Sequence, residues 1–256
     1  GTPVYEDTTG NTFDVTVVGN YAYLAAAGSG LAIIDITDKA NPGTPVYKDT
    51  KGSAYDVTVV GNYAYVADRA SGLAIIDISD KANPGTPLYK DTSGNAYGVT
   101  LVGNYAYVAD DASGLAIIDI SNPASPGTPV YMNTSGSARG VTVAGNYAYV
   151  ADDASGLAII DISDPASPGT PVYRDTSGRA YRVTVVGNYA YVGDGTSGLA
   201  IIDISDPASP GTPVYRDTTG SARDVTVVGN YAYMPGAASL AIIDISDPAS
   251  PGTPVY

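Results

Sequence analysis

The feature that most constrains this chain is a tandem repeat of 42 residues. Six copies span residues 1–42, 43–84, 85–126, 127–168, 169–210 and 211–251, the last being one residue shorter. Residues 252–256 then repeat the opening of the unit, GTPVY. A period near 42 with several short strand patterns in each copy is typical of the blades of a propeller.

The second copy shows the strand patterns clearly. Residues 44–50 are β-rich but contain Pro45, which suits an outer edge strand because proline cannot donate to a ladder. Residues 54–60, 63–67 and 73–78 are the next three candidate strands, and Gly61-Asn62 predicts the hairpin between the first two. We therefore predict an all-β fold: a six-bladed β-propeller forming a single domain over residues 1–256, with four antiparallel strands per blade.

The order of strands in the unit leaves one outer strand too many. Each copy reads outer strand first, then the three inner strands, so six inner sets meet seven outer segments. Only one of residues 1–8 and 252–256 can complete the sixth blade, and the ring closes with an outer strand from one terminus. We expect the N-terminal segment to do this, because mixing the two ends removes a sheet seam. The reverse arrangement stays open.

The two faces of a blade differ in side-chain size. Tyr63 and Tyr65 lie on one face of their strand, and Ala64 and Val66 lie on the other. We expect bulky faces to pack on small ones in successive blades. Most tyrosines then belong to the core, with their hydroxyls satisfied at a rim.

Composition excludes several classes of function. The chain has no cysteine and no histidine, so thiolate chemistry, Ser-His-Asp catalysis and histidine metal sites are impossible. A net charge of −14 opposes nucleic-acid binding. No apolar run approaches the ~20 residues that span a bilayer, so no membrane insertion is expected. Because Gly1 is not a Met and no signal-peptide pattern follows it, we expect a mature or excised fragment.

The strings VVGNYAYVA and GLAIIDISDP, present with small changes in every copy, resemble the LVIVD-type propeller repeat, with LAIID in place of LVIVD. The resemblance covers the whole chain. It implies a β-propeller fold and a location outside the cell or on the cell surface. It implies no reaction and brings no catalytic residues. Ser239-Leu240 departs from the pattern because the usual glycine is missing. The uniformity of the copies fits either recent amplification or a partly engineered scaffold.

The copies differ mainly at one predicted rim, which carries the loop between the second and third strands and the entry to the first strand. We predict that the entry side chains surround the mouth of the channel and form the binding site. These candidate residues are Phe13, Asp14, Tyr55, Asp56, Tyr97, Arg139, Tyr181, Arg182, Arg223 and Asp224. The alternative is that solvent-exposed loop positions vary because nothing constrains them.

Within this set the arginines suggest a ligand chemistry. Arg139, Arg182 and Arg223, with Tyr181 among them, form a candidate patch for a carboxylate or a sugar, because arginine offers a planar fork and tyrosine a flat face. Asp224 is a candidate to neutralise that patch.

The acidic residues have mostly structural interpretations. Asp77 and its counterparts follow an apolar strand, where we expect hydrogen bonds to nearby backbone or tyrosine groups. The next aspartate, as at Asp80, reads as a turn residue. We predict no metal ligands and no cofactor. Calcium is the one ion to consider, at the adjacent pairs Asp110-Asp111 and Asp152-Asp153, although no known calcium-loop spacing supports it.

Three functions remain open. The favoured one is a non-catalytic binding or display module, extracellular or on the cell surface, that contacts a protein or carbohydrate ligand at the variable rim. The second is a structural scaffold with no ligand of its own. The third, a metal-dependent enzyme at the channel mouth, is disfavoured because Asp14, Asp56 and Asp224 are the only acidic entry residues.

Overall fold

The molecule is described by a computed structural model that covers residues 4–235 and 239–256. All regular secondary structure within those residues is β-strand, and its 23 strands form six antiparallel sheets. The fold is a six-bladed β-propeller, which confirms the fold class predicted from the repeat.

Each of the first five blades takes three strands from one repeat and its outer strand from the next repeat. Blade 1 contains β1 (Asp14–Val18), β2 (Tyr21–Ala25), β3 (Leu31–Asp35) and β4 (Val46–Lys48); blade 2 contains β5 (Asp56–Val60), β6 (Tyr63–Ala67), β7 (Leu73–Asp77) and β8 (Leu88–Lys90); blade 3 contains β9 (Gly98–Val102), β10 (Tyr105–Ala109), β11 (Leu115–Asp119) and β12 (Val130–Met132); blade 4 contains β13 (Gly140–Ala144), β14 (Tyr147–Ala151), β15 (Leu157–Asp161) and β16 (Val172–Arg174); blade 5 contains β17 (Arg182–Val186), β18 (Tyr189–Gly193), β19 (Leu199–Asp203) and β20 (Val214–Arg216); blade 6 contains β21 (Thr226–Val228), β22 (Tyr231–Pro235) and β23 (Leu240–Asp244).

The strand predictions for the second copy hold to within two residues, apart from the shorter outer strand. Strand β6 has the predicted bounds, and β5 and β7 are each slightly shorter than predicted. The hairpin between β5 and β6 turns at Gly61, whose φ is +58°. A glycine suits this position because left-handed backbone costs it nothing. The outer strand has only three residues and begins after Pro45, as the missing proline donor requires.

The chain divides into two compact units. The first contains residues 1–110 and 118–129, and the second contains residues 111–117 and 130–256. The packing of each unit is described separately.

In the first unit, blade 1 packs on blade 2 through two unlike faces. Tyr23, Leu31 and Ile33 of blade 1 belong to one buried cluster with Val57 and Val66 of blade 2. We call the positions of Tyr23, Leu31 and Ile33 the trailing face of a blade, and the positions of Val57 and Val66 its leading face. The first two strands of the leading face carry small Val and Ala residues, as predicted, whereas Ile76 and Ile78 make it bulkier further out on the blade.

The second unit repeats this interface twice. The trailing face of blade 4 packs on the leading face of blade 5, and the trailing face of blade 5 packs on the leading face of blade 6. Val183 and Val192 are the small residues in the first of these contacts. Because burial of one such aliphatic side chain contributes about 1.5–3 kcal/mol, these repeated contacts supply much of the stability of the fold.

The tyrosine of each outer strand closes a turn at the edge of its blade. The hydroxyl of Tyr47 accepts a hydrogen bond from the Thr9 amide at 2.8 Å, and Tyr89 accepts one from Lys51 at 2.9 Å. The same bond recurs in blades 4 and 5. Residues 38 positions apart are thus joined in each of these blades, and the tyrosine hydroxyl is satisfied at an exposed edge.

The C-terminal segment completes blade 6, so the expectation that residues 1–8 would do so is wrong. Val255 and Ile242 exchange two backbone hydrogen bonds, of 2.8 and 2.9 Å. The Tyr256 hydroxyl accepts the Thr219 amide at 2.7 Å, the bond that Tyr47 makes in blade 1. Val4 and Tyr5 lie in no strand and are 53% and 84% exposed, and residues 1–3 of that segment lie outside the described residues. Residues 252–256 follow β23 by a short connection, so chain connectivity, rather than the removal of a sheet seam, accounts for which end completes blade 6.

Removal of residues 252–256 should destabilise the protein, because it breaks four hydrogen bonds, three made by Val255 and Tyr256 and one donated by the Gly252 amide, and exposes Ile242 further. At about 1 kcal/mol for each net hydrogen bond, the free energy of unfolding should fall by about 2–4 kcal/mol. Urea unfolding of the full and shortened chains measures this. The double substitution Val4→Ala, Tyr5→Ala is the control, because both side chains are exposed and lie in no strand, and it should change the free energy of unfolding by less than about 0.5 kcal/mol. An equal effect of the truncation and of this double substitution would contradict the assignment.

Candidate functional site

Strand pairing places the variable residues at one end of each sheet. Asp56, at the start of β5, pairs with Ala67 at the end of β6, while the Gly61-Asn62 hairpin lies at the opposite end. The entry to the first strand and the loop after the second strand therefore share one end of the blade. We call this the upper end. Its location agrees with the rim predicted from the repeat.

Three aromatic entry residues of the first unit contact one another in a row. The Phe13 and Tyr55 rings stack with their centroids 4.2 Å apart and an interplanar angle of 13°. The Tyr55 and Tyr97 rings meet edge to face at 5.2 Å and 77°. Phe13 is 47% exposed, and Tyr55 and Tyr97 are half-buried. We call Phe13, Tyr55 and Tyr97 the aromatic row.

Arg69 lies against the aromatic row and was not predicted as a site residue. Its guanidinium carbon is 5.3 Å from the Tyr55 ring centroid and 5.7 Å from that of Tyr97, and its Nη2 donates to the Tyr97 hydroxyl at 3.5 Å. These distances fit cation–π contact. Arg69 belongs to the loop ADRASG, where it is the only arginine among the six corresponding loops. That difference between copies was the available signal.

The entry aspartates are used within the fold. The Asp14 carboxylate accepts the Val57 amide at 3.1 Å, and the Asp56 carboxylate accepts the Val99 amide at 3.0 Å, so each ties its blade to the next one. Asp224 accepts the amide of Val225, its own neighbour, at 2.8 Å.

In the second unit the predicted arginine patch is divided. Arg139 forms ion pairs with Asp111 at 3.9 Å and with Asp153 at 3.5 Å. Arg182 donates to the carbonyl oxygen of Arg139 at 3.2 Å. Aspartates of the loops, rather than Asp224, therefore balance the charge of Arg139. Arg179, which the sequence prediction missed, also pairs with Asp153, at 3.3 Å.

The remaining two candidates of this unit form a separate contact. The guanidinium carbon of Arg223 is 5.5 Å from the Tyr181 ring centroid, and Arg223 is exposed. Of the predicted patch, the structure thus joins Arg223 to Tyr181 and Arg139 to Arg182.

The variable loops are held by backbone pairing. Arg69 has a φ of +46° and exchanges two backbone hydrogen bonds with Ala96, at the entry of blade 3. Asp153 has a φ of +50° and pairs with Ala180 in the same way. Such left-handed backbone is unusual for residues other than glycine. The loops therefore present different side chains from a similar, hydrogen-bonded backbone.

An aspartate buried beneath each of four variable loops has a structural role that the sequence did not predict. Asp68 is fully buried, and its carboxylate accepts the Thr50 hydroxyl at 2.7 Å and the Gly52 amide at 2.8 Å. A Cβ on Gly52 would collide with the Asp68 carbonyl oxygen, so this turn requires glycine. The same pair of bonds is made by Asp110, Asp152 and Asp194. The sequence signal was the pairing of Asp with the DTSG-type turn, which is broken in blade 1 by Ala26.

These contacts bear on the proposed calcium loops. Asp152 faces the interior and binds Thr134 and Gly136, whereas its neighbour Asp153 binds arginines. Across residues 4–235 and 239–256, no three Asp or Glu side chains gather in a way that would hold a metal ion. Calcium binding stays an untested prediction.

The aspartates at the other end of the blades have the predicted structural role. Asp77 is exposed, and its carboxylate accepts the Ser79 amide at 2.8 Å. The Ser79 amide and hydroxyl lower the pKa of Asp77 below its usual value. Asp80 accepts the Ala82 amide at 3.0 Å, as a turn residue should. Neither group faces the upper end.

The repeat has a recognised family. The model of the LVIVD repeat matches residues 9–48, 51–89, 93–134, 135–172, 177–214 and 219–253. Among curated proteins, no sequence matches this chain. Within the described residues, no helix is long and apolar enough to cross a membrane.

Solved structures of similar fold share little sequence with this chain. The computationally designed Ika8 protein is 12% identical, with a TM-score of 0.70 over 96% of this chain and 73% of its own. The β-propeller domain of Cps50 (Swd1) from Myceliophteria thermophila is 14% identical, with a TM-score of 0.74 over 98% and 88%. U3-55K is 8% identical, with a TM-score of 0.77 over 98% and 82%. At these identities the similarity shows the propeller fold alone.

The buried aspartates should make stability depend on pH. Burial raises the pKa of Asp68 despite its hydrogen bonds. Between pH 4, near the ordinary aspartate pKa, and the raised native value, the folded protein binds more protons than the unfolded one. The contribution of Asp68 to the free energy of unfolding therefore falls as pH rises through this window. Replacement of Asp68 by Asn should remove that fall. The free energy of unfolding of D68N minus that of the parent should therefore become more positive as the pH rises from 4 to 7.

Urea unfolding of both proteins at pH 4, 5, 6 and 7 measures this difference. Asp77→Asn is the matched control. Because the pKa of Asp77 is lowered, its stabilisation is complete above about pH 5 and is lost progressively below it. The difference for D77N should stay constant from about pH 5 to pH 7. A flat difference for D68N would contradict a raised pKa for Asp68.

Proposed function

We propose that this chain, which belongs to the LVIVD-repeat family, is a non-catalytic binding or display module that works outside the cell or on its surface. Its ligand, a protein or carbohydrate surface, contacts the upper ends of the blades. The observation that carries this proposal is the aromatic row of Phe13, Tyr55 and Tyr97 with Arg69 beside it.

The chemistry of the aromatic row suits recognition. Phe13 offers a large exposed apolar ring, and stacking on Tyr55 limits the freedom that binding would otherwise remove. Arg69 adds hydrogen-bond donors beside the Tyr97 hydroxyl. Aromatic and arginine side chains are the types that dominate protein interfaces. Flat aromatic faces next to hydrogen-bond donors also suit a sugar ring, which is apolar on its faces and polar at its edge.

The position of the aromatic row supports the same proposal. Its residues belong to the end of the blades where the copies differ, and a loop with paired backbone supports Arg69. A rigid backbone with variable side chains is the arrangement used by many binding surfaces on repeat proteins.

A non-catalytic role agrees with the state of the polar groups. No histidine or cysteine is available in the sequence, and the carboxylates of Asp14 and Asp56 already accept backbone amides. General acid–base chemistry needs a group that can reach a substrate proton. The entry aspartates are instead committed to joining successive blades.

A structural scaffold is the second candidate. The observation that favours it is in the second unit, where Arg139 forms ion pairs with both Asp111 and Asp153. Charges balanced in this way offer less to an external ligand. The nearly identical copies also fit a chain selected for its fold alone.

Substitution of the aromatic row should weaken the affinity for the ligand without unfolding the protein. Immobilised cell-surface polysaccharides and an array of surface glycans serve as probes for the unmodified chain. The double variant Tyr55→Ala, Tyr97→Ala should lose at least about tenfold in affinity for any glycan that retains the parent, as expected for the loss of two interface aromatics. Circular dichroism and thermal unfolding check that the fold is kept.

Tyr5→Ala is the control for this experiment, because Tyr5 is an exposed tyrosine outside the aromatic row. Its affinity should equal that of the parent. Retention of the parent with no loss in the double variant would place binding elsewhere. If no glycan and no surface protein retains the parent, the scaffold function gains support.

A further inference from the structure

The contact between successive blades has the same chemistry wherever it is seen. A trailing face of Tyr, Leu and Ile packs on a leading face made mainly of Val, Ala and Ile. At the leading position of Val57 the exposed fraction is 2%, and at that of Val66 it is zero. Burial of this face is therefore the normal state of the repeat.

Blade 1 departs from this state on its leading face. Val15, which corresponds to Val57, is 55% exposed. In the other five blades the valine at this position is only 2–7% exposed, namely Val57, Val99, Val141, Val183 and Val225. Val17 of the same strand is 58% exposed. Leu24, which corresponds to the fully buried Val66, is only half-buried. Further out on the blade, Ala32 and Ile34 are buried. The open region is thus centred on β1 and β2.

Blade 6 departs from the normal state on its trailing face. Leu240 is 47% exposed, although the corresponding leucine is fully buried in every other blade. Tyr233 and Ile242 are half-buried, whereas Tyr23 and Ile33 are 1% and 2% exposed. These three side chains of blade 6 are therefore more exposed than their counterparts in blade 1.

The N-terminal outer segment also lacks the contacts of its counterparts. Val4 and Tyr5 repeat the sequence of Val255 and Tyr256, yet neither takes part in a strand of the described chain. The Tyr256 hydroxyl accepts a backbone amide, whereas Tyr5 is 84% exposed. This segment has the sequence of an outer strand but pairs with no inner strands in the described chain.

We propose that the leading face of blade 1 is a docking surface for one further blade of the same 42-residue repeat, whose outer strand is supplied by Val4 and Tyr5. The trailing face of the incoming blade covers Val15 and Val17, as Tyr23 and Leu31 cover their counterparts in blade 2. The occupant follows from continuity with the contact that blade 1 makes on its other face.

The unpaired outer segment distinguishes this occupant from a second copy of the chain. Blade 6 of a second copy would present a trailing face, but Val255 already fills its outer edge. Val4 and Tyr5 would then stay exposed. A repeat that brings only its three inner strands uses both the open leading face and the free outer segment.

The absence of cysteine from the chain makes a direct test possible. A single Val15→Cys substitution places one thiol on the open face, and its rate of reaction with a maleimide reports the exposure of that face. The reaction is compared in the existing chain and in a chain with one consensus repeat added before Gly1. Docking should slow the reaction of Cys at position 15 by at least about tenfold in the longer chain, because a buried thiol reacts only during opening.

Three controls make the result specific. Val57→Cys should react slowly in both chains, and Val102→Cys, on an exposed hairpin, should react rapidly in both. A third chain carries the added repeat with aspartate at its position equivalent to Leu31, which prevents apolar packing. In that chain, Cys at position 15 should react as rapidly as in the existing chain.

Four outcomes would overturn the proposal. One is an equal rate of reaction at position 15 with and without the added repeat. Another is equal protection by the intact and the aspartate-bearing repeat. The third is slow reaction in the existing chain accompanied by a dimer in analytical ultracentrifugation, which would show that a second copy covers the face. The fourth is slow reaction in a monomer, which would show that the face is already covered.

Discussion

The packing of a bulky face on a small one is the contact on which the rest of this structure depends. Each blade offers Tyr, Leu and Ile side chains on one side, and on the other it offers Val and Ala on its first two strands with Ile further out, as in the contact of Leu31 with the Val57 face. The two faces complement each other only between successive blades. Because every strand is short, a blade alone would bury too little apolar surface to be stable. Stacking of successive blades buries the additional apolar surface that a single blade lacks.

Polar groups join the same blades at their edges. Asp14 reaches the amide of Val57, and the Tyr47 hydroxyl joins an outer strand to the turn that precedes its own blade's first strand. Beneath the variable loops, Asp68 binds Thr50 and Gly52. These bonds are directional, so they set the register that apolar packing alone would leave loose. The upper ends can then carry different side chains on nearly the same backbone.

The repeat predicted the secondary structure well because its signals are local. Alternating apolar residues, the glycine of the hairpin and the proline of the outer strand act within a few residues of one another. The candidate site was predicted less completely. Variation between copies pointed to Phe13, Tyr55 and Tyr97, but it did not show that their rings touch or that Arg69 joins them. Those contacts join residues 14 to 42 positions apart, and sequence spacing does not encode their distance.

By itself the sequence determined the number of blades, the strands in each one and the end of the blade at which the copies differ. It could do so because the period of the repeat and the differences between copies can be read directly from the aligned residues. Only the tertiary structure decided that Val255 and Tyr256, rather than Val4 and Tyr5, complete blade 6, and that Asp111 and Asp153, rather than Asp224, balance Arg139. The two outer segments share the sequence Val-Tyr, so the residues themselves cannot reveal which copy pairs with Ile242. The backbone pairing of Val255 with Ile242 in the folded chain made the choice.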